Sequence, residues 1–298
     1  LERLAPVLGD LPPSPRREAL VAALNGVLGD HLEARGNPLA IPMHLRRNGR
    51  DLAPDVVSLA TEFPAPPARI VLMVHGLCMN DAGWSRDGHD HGAALERDLG
   101  LAALHVVYNS GRHVAANGAD LAALLEALVG AWPGPLRELS IVAHSMGGLV
   151  ARSALHGAGT AGHAWPVLVR TIVFLGTPHH GAPLERLGNL FQSALGLSPY
   201  SAPFARLGRL RSAGITDLRH GDLLDDGASG DRFAGHADTR TPLPLPAGVV
   251  CCAVAGTTAK AIGPSVLHVP GDGLVPVASA LGRHRDPEGT LELPTDRT

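Results

Sequence analysis

Apolar positions set the first expectations. Near the start, Leu20, Leu24, Val27 and Leu28 recur at helical spacing behind Ser14-Pro15, where serine can cap and proline can take the first helical position. This predicts a surface helix opening the chain. Ile41, Met43 and Leu45 then alternate with Pro42, His44 and Arg46 and run into Asn48-Gly49, the pattern of a strand turning back in a tight hairpin. Residues 64–68, PAPPA, read as a stiff linker.

From residue 69 the pattern changes to strand, loop, helix, strand. RIVLMVHG (residues 69–76), AALHVVY (102–108), LSIVAH (139–144), VRTIVFLG (169–176) and GVVCCAVAG (248–256) are near-continuous apolar runs. Leu121, Leu124, Leu125, Leu128, Val129 and Trp132 form one helical face, stopped by Pro133. Such alternation predicts an α/β protein with a mostly parallel central sheet and helices on both faces. The leading hairpin would add antiparallel strands at one edge. Residues 181–247, between the fourth and fifth runs, are too long for a structureless connection. They predict an inserted cap or lid, with an amphipathic helix through Leu184, Leu187, Leu190, Phe191, Ala194 and Leu195. The expected organisation is an N-terminal helix and edge hairpin over 1–66 and a core over 67–298 that carries this insertion.

Composition narrows the function. A hydrophobic fraction of 45% and a charged fraction of 18% belong to a globular chain, and a net charge of −3 gives no footprint for nucleic acid. The three cysteines, Cys78, Cys251 and Cys252, have no metal-finger spacing and suit a reducing compartment. No apolar run reads as a transmembrane segment and no signal peptide is visible, so a cytoplasmic location is expected.

The chemistry gathers around IVAHSMGGLVARSA, residues 141–154. Ser145 stands between an apolar run and a plausible helix, with Ala143, Gly147 and Gly148 as small neighbours. A serine on a sharp strand-to-helix turn needs such neighbours, and the turn exposes its hydroxyl beside a helix N-terminus. The common form of this turn has glycine where Ala143 stands. An acyl-transfer serine also needs two N–H groups for its oxyanion. Met146, after the serine, would supply one, and Leu77, in the loop opened by His75-Gly76, the other. His75 is expected to shape that turn at the pocket rim. Asp272, between glycines in VPGDGLVPVASALG, is the candidate acid. DGHDHG (residues 87–92) reads as a solvated loop with no metal site, and no cofactor is implied.

Four stretches carry a resemblance: His75-Gly76 after the first core strand, AHSMGG, FLGTPHHGAPLE (residues 174–185) and GDGLVP. In this order they resemble α/β-hydrolase-fold serine esterases, above all bacterial triacylglycerol lipases and the group similar to GPI inositol-deacylases. The resemblance implies the α/β-hydrolase fold, Ser145 as nucleophile, Asp272 as acid and Leu77 with Met146 as oxyanion donors. His179 and His180 follow the fourth run, so they are expected to line the pocket rim or to support it, a structural role first and substrate contact as the alternative. The resemblance also implies a further strand, TLELP (residues 290–294), followed by a loop with the catalytic histidine. No histidine follows His284. The expectation is that the chain is a C-terminal truncation with its base beyond Thr298; His284 is the alternative base.

The function expected is hydrolysis of a small-molecule or lipid carboxylic ester through an acyl-enzyme, a role in lipid metabolism. The Leu-rich insertion would suit an apolar acyl group, or simply pack on the core. An acyltransferase using the same residues, or a lipid-binding protein on the same fold without catalysis, are the alternatives.

Overall fold

A computed structural model of the chain describes residues 14–182, 212–224, 243–260 and 269–293. Helix α1 (Pro15–Ala34) begins as expected, with the Ser14 hydroxyl accepting from the Arg17 amide at 3.2 Å. It is not a surface helix. Residues 22–29 are buried without a break, and the side chain of Asn25 stitches the helix to the following segment. Its amide donates to the Leu39 carbonyl at 2.7 Å, and its oxygen accepts from the Ile41 amide at 2.9 Å. A fully buried amide with its bonds satisfied is a strong positional constraint.

Strands β1 (His44–Arg47) and β2 (Arg50–Leu52) form the edge hairpin. Asn48 and Gly49 both adopt positive φ (50° and 71°), the turn that matches strand twist. Helix α2 (Val56–Glu62), capped by Asp55, follows; the hydrophobic pattern did not announce so short an element. Then come β3 (Arg69–Val74), a small hairpin of β4 (Ser85–Arg86) and β5 (His89–Asp90), α3 (His91–Leu99), β6 (Ala102–Val107), α4 (Val114–Ala131), β7 (Glu138–His144), α5 (Met146–Ala161), β8 (Val169–Leu175), α6 (Ala213–His220), β9 (Val250–Val254) and α7 (Val277–Ala280).

The main sheet has seven strands in the order β2-β1-β6-β3-β7-β8-β9. The pairs from β6 to β9 are parallel, and β1 is antiparallel to both β2 and β6. Alternation along β3 divides the core. Ile70, Leu72 and Val74 face the larger cluster, which takes in α1, α4 and α5. Val71 and Met73 face a smaller one with Trp84 and Leu95 of α3. Helices therefore lie on both faces, as the sequence predicted. Helix α4 is, by length and composition alone, long and apolar enough to cross a bilayer. In the fold it is a core helix, with Leu121, Leu125 and Leu128 buried and Asp120 and Glu126 on its length.

The described part of the expected strand TLELP, residues 290–293, is not strand. The Leu291 amide donates instead to the Gly282 carbonyl at 2.8 Å. The expected amphipathic helix of the insertion lies outside the described residues, as does most of 181–247.

Candidate active site

Ser145 sits between β7 and α5 with φ 52° and ψ −123°. A non-glycine residue held there is strained by about 1–3 kcal/mol and persists only where its surroundings over-determine it. They do so here. The Ser145 amide donates to the Leu175 carbonyl of β8 at 2.8 Å, and its carbonyl accepts from Gly148 at 3.1 Å. A Cβ at Gly147 would lie 2.5 Å from the His75 carbonyl oxygen and 2.6 Å from that of Val74. The start of α5 is thus pressed onto the end of β3, and no side chain fits. A Cβ at Gly76 would meet Ser145 Cβ at 3.0 Å, which puts the β3 loop against the serine. Ala143, the departure from the usual glycine, is wholly buried.

The β3 loop is held from behind. His75 is buried, its ring stacked 4.3 Å from Tyr108. The Tyr108 amide donates to His75 Nε2 at 3.3 Å, so Nδ1 carries the proton and donates to the Gly76 carbonyl at 2.8 Å. The Tyr108 hydroxyl donates to the His75 carbonyl at 2.8 Å. Burial pushes the His75 pKa down to about 4, so the ring is neutral. It shapes the turn, as expected, but from the interior and not at a rim, because backbone groups take both nitrogens. Cys78 has φ 61°, its amide donates to Ser110 Oγ at 3.0 Å, and burial pushes its thiol up to about 12. Neither Leu77 nor Met146 has an acceptor for its N–H among the described residues.

Asp272 lies where β8 and β9 end. Its Oδ2 is 3.6 Å from where a Cβ on Gly176 would be, and its own Cβ is 3.1 Å from one on Gly256. Oδ1 accepts from the amides of Leu274 and Val275 at 2.9 and 3.0 Å, which leaves Oδ2 for another partner.

The histidines divide. His179 is buried, edge-on to Phe174 at 4.8 Å, with Arg152 Nη1 3.2 Å from its Nδ1. Burial, with Arg152 adding to it, holds its pKa well below the usual value. It too belongs to the interior and not the rim. The His180 amide donates to Ser279 Oγ at 3.1 Å, and its ring lies 4.9 Å from that of His284. His284 bonds to Thr290 and Asp286. No hydrogen bond joins a described histidine to Ser145 or Asp272. In the DGHDHG stretch, Asp90 caps α3 through the Ala93 amide at 2.7 Å and meets the Ser85 hydroxyl. Among the described residues no group of three metal-ligating side chains occurs.

Two neighbours escaped the sequence reading. His144 packs beside Gly76, edge-on to Trp84 at 6.5 Å, with Nδ1 buried and unbonded among the described residues. Burial lowers its pKa, against the opposing pull of Asp272. Alternation along β7 could have placed it opposite Ala143. The second is Asp217 on α6. It accepts from His113 Nδ1 at 3.0 Å and from the Val114 amide at 2.7 Å, tying the far side of the insertion to the loop after β6. Nothing local to either residue signals that pair.

The strand order, the single antiparallel strand β1 within the sheet and a strained serine between β7 and α5 make this the α/β-hydrolase fold. Solved structures similar to it include the mature form of the Bacillus licheniformis lipase BlEst2, at 22% identity over 77% of this chain and 83% of that one, with a TM-score of 0.46. The propeptide form of that lipase is 26% identical over 53% of this chain, with a TM-score of 0.38; the chain spans 31% of its length. An esterase from the archaeon Pyrobaculum calidifontis is 16% identical, over 72% of this chain and 70% of that one, with a TM-score of 0.35. No curated protein matches in sequence. A family profile covers residues 47–200, and the chain belongs to that family, described as Domain of unknown function (DUF7379).

Proposed function

We propose that the protein is a serine hydrolase of carboxylic esters and that Ser145 is its nucleophile. The observation that carries this reading is the left-handed backbone of Ser145, held between β7 and α5 by glycines that admit no side chain. Such strain has no packing benefit of its own; it presents a hydroxyl at the carboxyl end of the sheet. A histidine takes the Ser145 proton as Oγ attacks the ester carbonyl. The N–H groups of Leu77 and Met146 receive the charge that develops on the carbonyl oxygen. Asp272 orients the histidine and stabilises its cationic form, with Oδ2 free for the ring N–H. The histidine then protonates the leaving alcohol, and water resolves the acyl-enzyme by the same route. The substrate class is a small-molecule or lipid ester, in keeping with the resemblance to triacylglycerol lipases and the inositol-deacylase-like group.

The test is hydrolysis of p-nitrophenyl butyrate and p-nitrophenyl palmitate by the full chain, by Ser145→Ala and by His284→Ala. Turnover abolished in Ser145→Ala supports the reading, and turnover that survives there overturns it. Loss in His284→Ala would make that residue the base; unchanged turnover would place the base elsewhere.

A further inference from the structure

The loop after β6, YNSGRH (residues 108–113), holds the β3 loop at two places, through Tyr108 on His75 and through Ser110 on Cys78. Cys78 stands one residue beyond Leu77 in a left-handed conformation that a β-carbon disfavours. Its amide is buried, and its hydrogen bond goes to the side chain of Ser110 at 3.0 Å. Ser110 is itself 1% exposed. Its position is fixed from two sides. Asn109, the residue before it, donates to the Gly29 carbonyl of α1 at 2.9 Å. Gly214 of α6 lies so close to the Ser110 carbonyl that a Cβ there would be 2.3 Å away.

We infer that Ser110 is a positioning residue for the oxyanion hole: its hydroxyl holds the Cys78 amide and thereby fixes the turn that presents the Leu77 N–H to the substrate carbonyl. The inference rests on Ser145 being the nucleophile. Without the hydroxyl, the Cys78 amide is a buried donor with no acceptor, and the Leu77–Cys78 peptide is released to turn toward another partner. Leu77 then no longer aims its N–H at one point. The cost falls on the transition state, where the oxyanion exists, and not on binding of the neutral ester.

The experiment compares Ser110→Ala and Ser110→Thr with the wild-type full chain, measuring kcat and KM for p-nitrophenyl butyrate, the rate of Ser145 phosphonylation by a fluorophosphonate, and Tm. Loss of one aimed donor predicts kcat down about 10-fold or more in Ser110→Ala with KM within about 2-fold. Phosphonylation should fall by a similar factor, because its P=O oxygen occupies the same hole. Ser110→Thr keeps the acceptor and should recover most of kcat. A Ser110→Ala chain that stays folded at the assay temperature and keeps kcat within about 2-fold of wild type overturns the inference. So does a loss in Ser110→Thr as large as in Ser110→Ala, since the hydroxyl would then not be what matters. If Ser145→Ala turns over ester as fast as wild type, the nucleophile reading falls and this inference with it; wild-type turnover that depends on Ser145 but ignores Ser110 removes this inference alone.

Discussion

Around Ser145 and the β3 loop, polar groups are sunk in the core and tied across long stretches of chain. His75 is 0% exposed, and Ser110 reaches Cys78 from 32 residues away. The Asp272 side chain itself is tied locally, although its neighbour Gly271 accepts from the Thr258 amide at 3.0 Å and Ser279 of α7 accepts from the His180 amide at 3.1 Å. The carboxylate is exposed and, among the described residues, accepts only from amides two and three residues on, and α7, which follows it, is one turn long. The strand before it, β9, stands with Val250 and Val254 58% and 54% exposed. The comparison separates two ways of placing a functional group. Ser145 and the proposed oxyanion donors Leu77 and Met146 owe their positions to core packing, so disturbing them should cost stability and activity together. Asp272 owes its position to a turn of its own making, so changing it should cost activity alone.

The largest effect tests that separation directly. Asp272→Asn should lower kcat by about 10⁴-fold, as expected when the acid can no longer hold the histidine in its working tautomer. Its Tm should stay within about 1 °C of wild type, because an exposed loop position carries little stability. A large fall in Tm would erase the contrast. On the serine side, Gly147→Ala should lower both. The added Cβ meets the His75 and Val74 carbonyls inside contact distance, and such overpacking costs about 1–3 kcal/mol, or more against rigid backbone. Urea unfolding and ester turnover on one preparation would check it; unchanged stability would show the junction to be looser than described.

Acid should weaken the serine side as well. His75 is pushed down to about 4 from an ordinary value of 6.5. Between those values the unfolded chain binds the proton that the folded chain refuses, so stability rises with pH across the window. The neutral ring contributes fully above pH 6.5, and its contribution is lost as pH falls toward about 4. From about pH 7.5 to about pH 5 this amounts to about 2 kcal/mol from His75 alone. His105, His144 and His179, also lowered by burial, act in the same direction. Urea midpoints across this range should fall, and fall less steeply in His75→Asn. A comparable effect concerns the insertion. Asp217→Ala removes the acceptor of His113 and of the Val114 amide and should cost about 1–3 kcal/mol by urea unfolding. Removal without loss of stability would mean that α6 is held by packing and by its bonds to Gly26, Asp30 and Gly111.

The parts of this structure legible in the sequence were those with a period or a steric requirement. Strands β3, β6, β7, β8 and β9 announced themselves as near-continuous apolar runs, because the inner strands of a sheet covered on both faces have no polar side. The junction at Ser145 was legible because its crowding demands glycine at 147 and 148, and the hairpin because positive φ selects Asn48-Gly49. What stayed hidden depends on partners distant in sequence. Nothing in YNSGRH says that Ser110 will cap an amide in the β3 loop. His113 and Asp217 are 104 residues apart in sequence and meet only in the folded chain. The unbroken burial of residues 22–29 in α1 follows from what packs on it, and helical spacing of four residues could not distinguish that from a surface helix.

The central claim is that Ser145 is an activated nucleophile. The most direct measurement is intact-mass and peptide analysis of the full chain after incubation with a fluorophosphonate. The account predicts a single phosphonyl adduct on the peptide carrying Ser145, formed faster than in the urea-unfolded chain and absent from Ser145→Ala. An adduct on another residue, or modification of Ser145 no faster folded than unfolded, would contradict it.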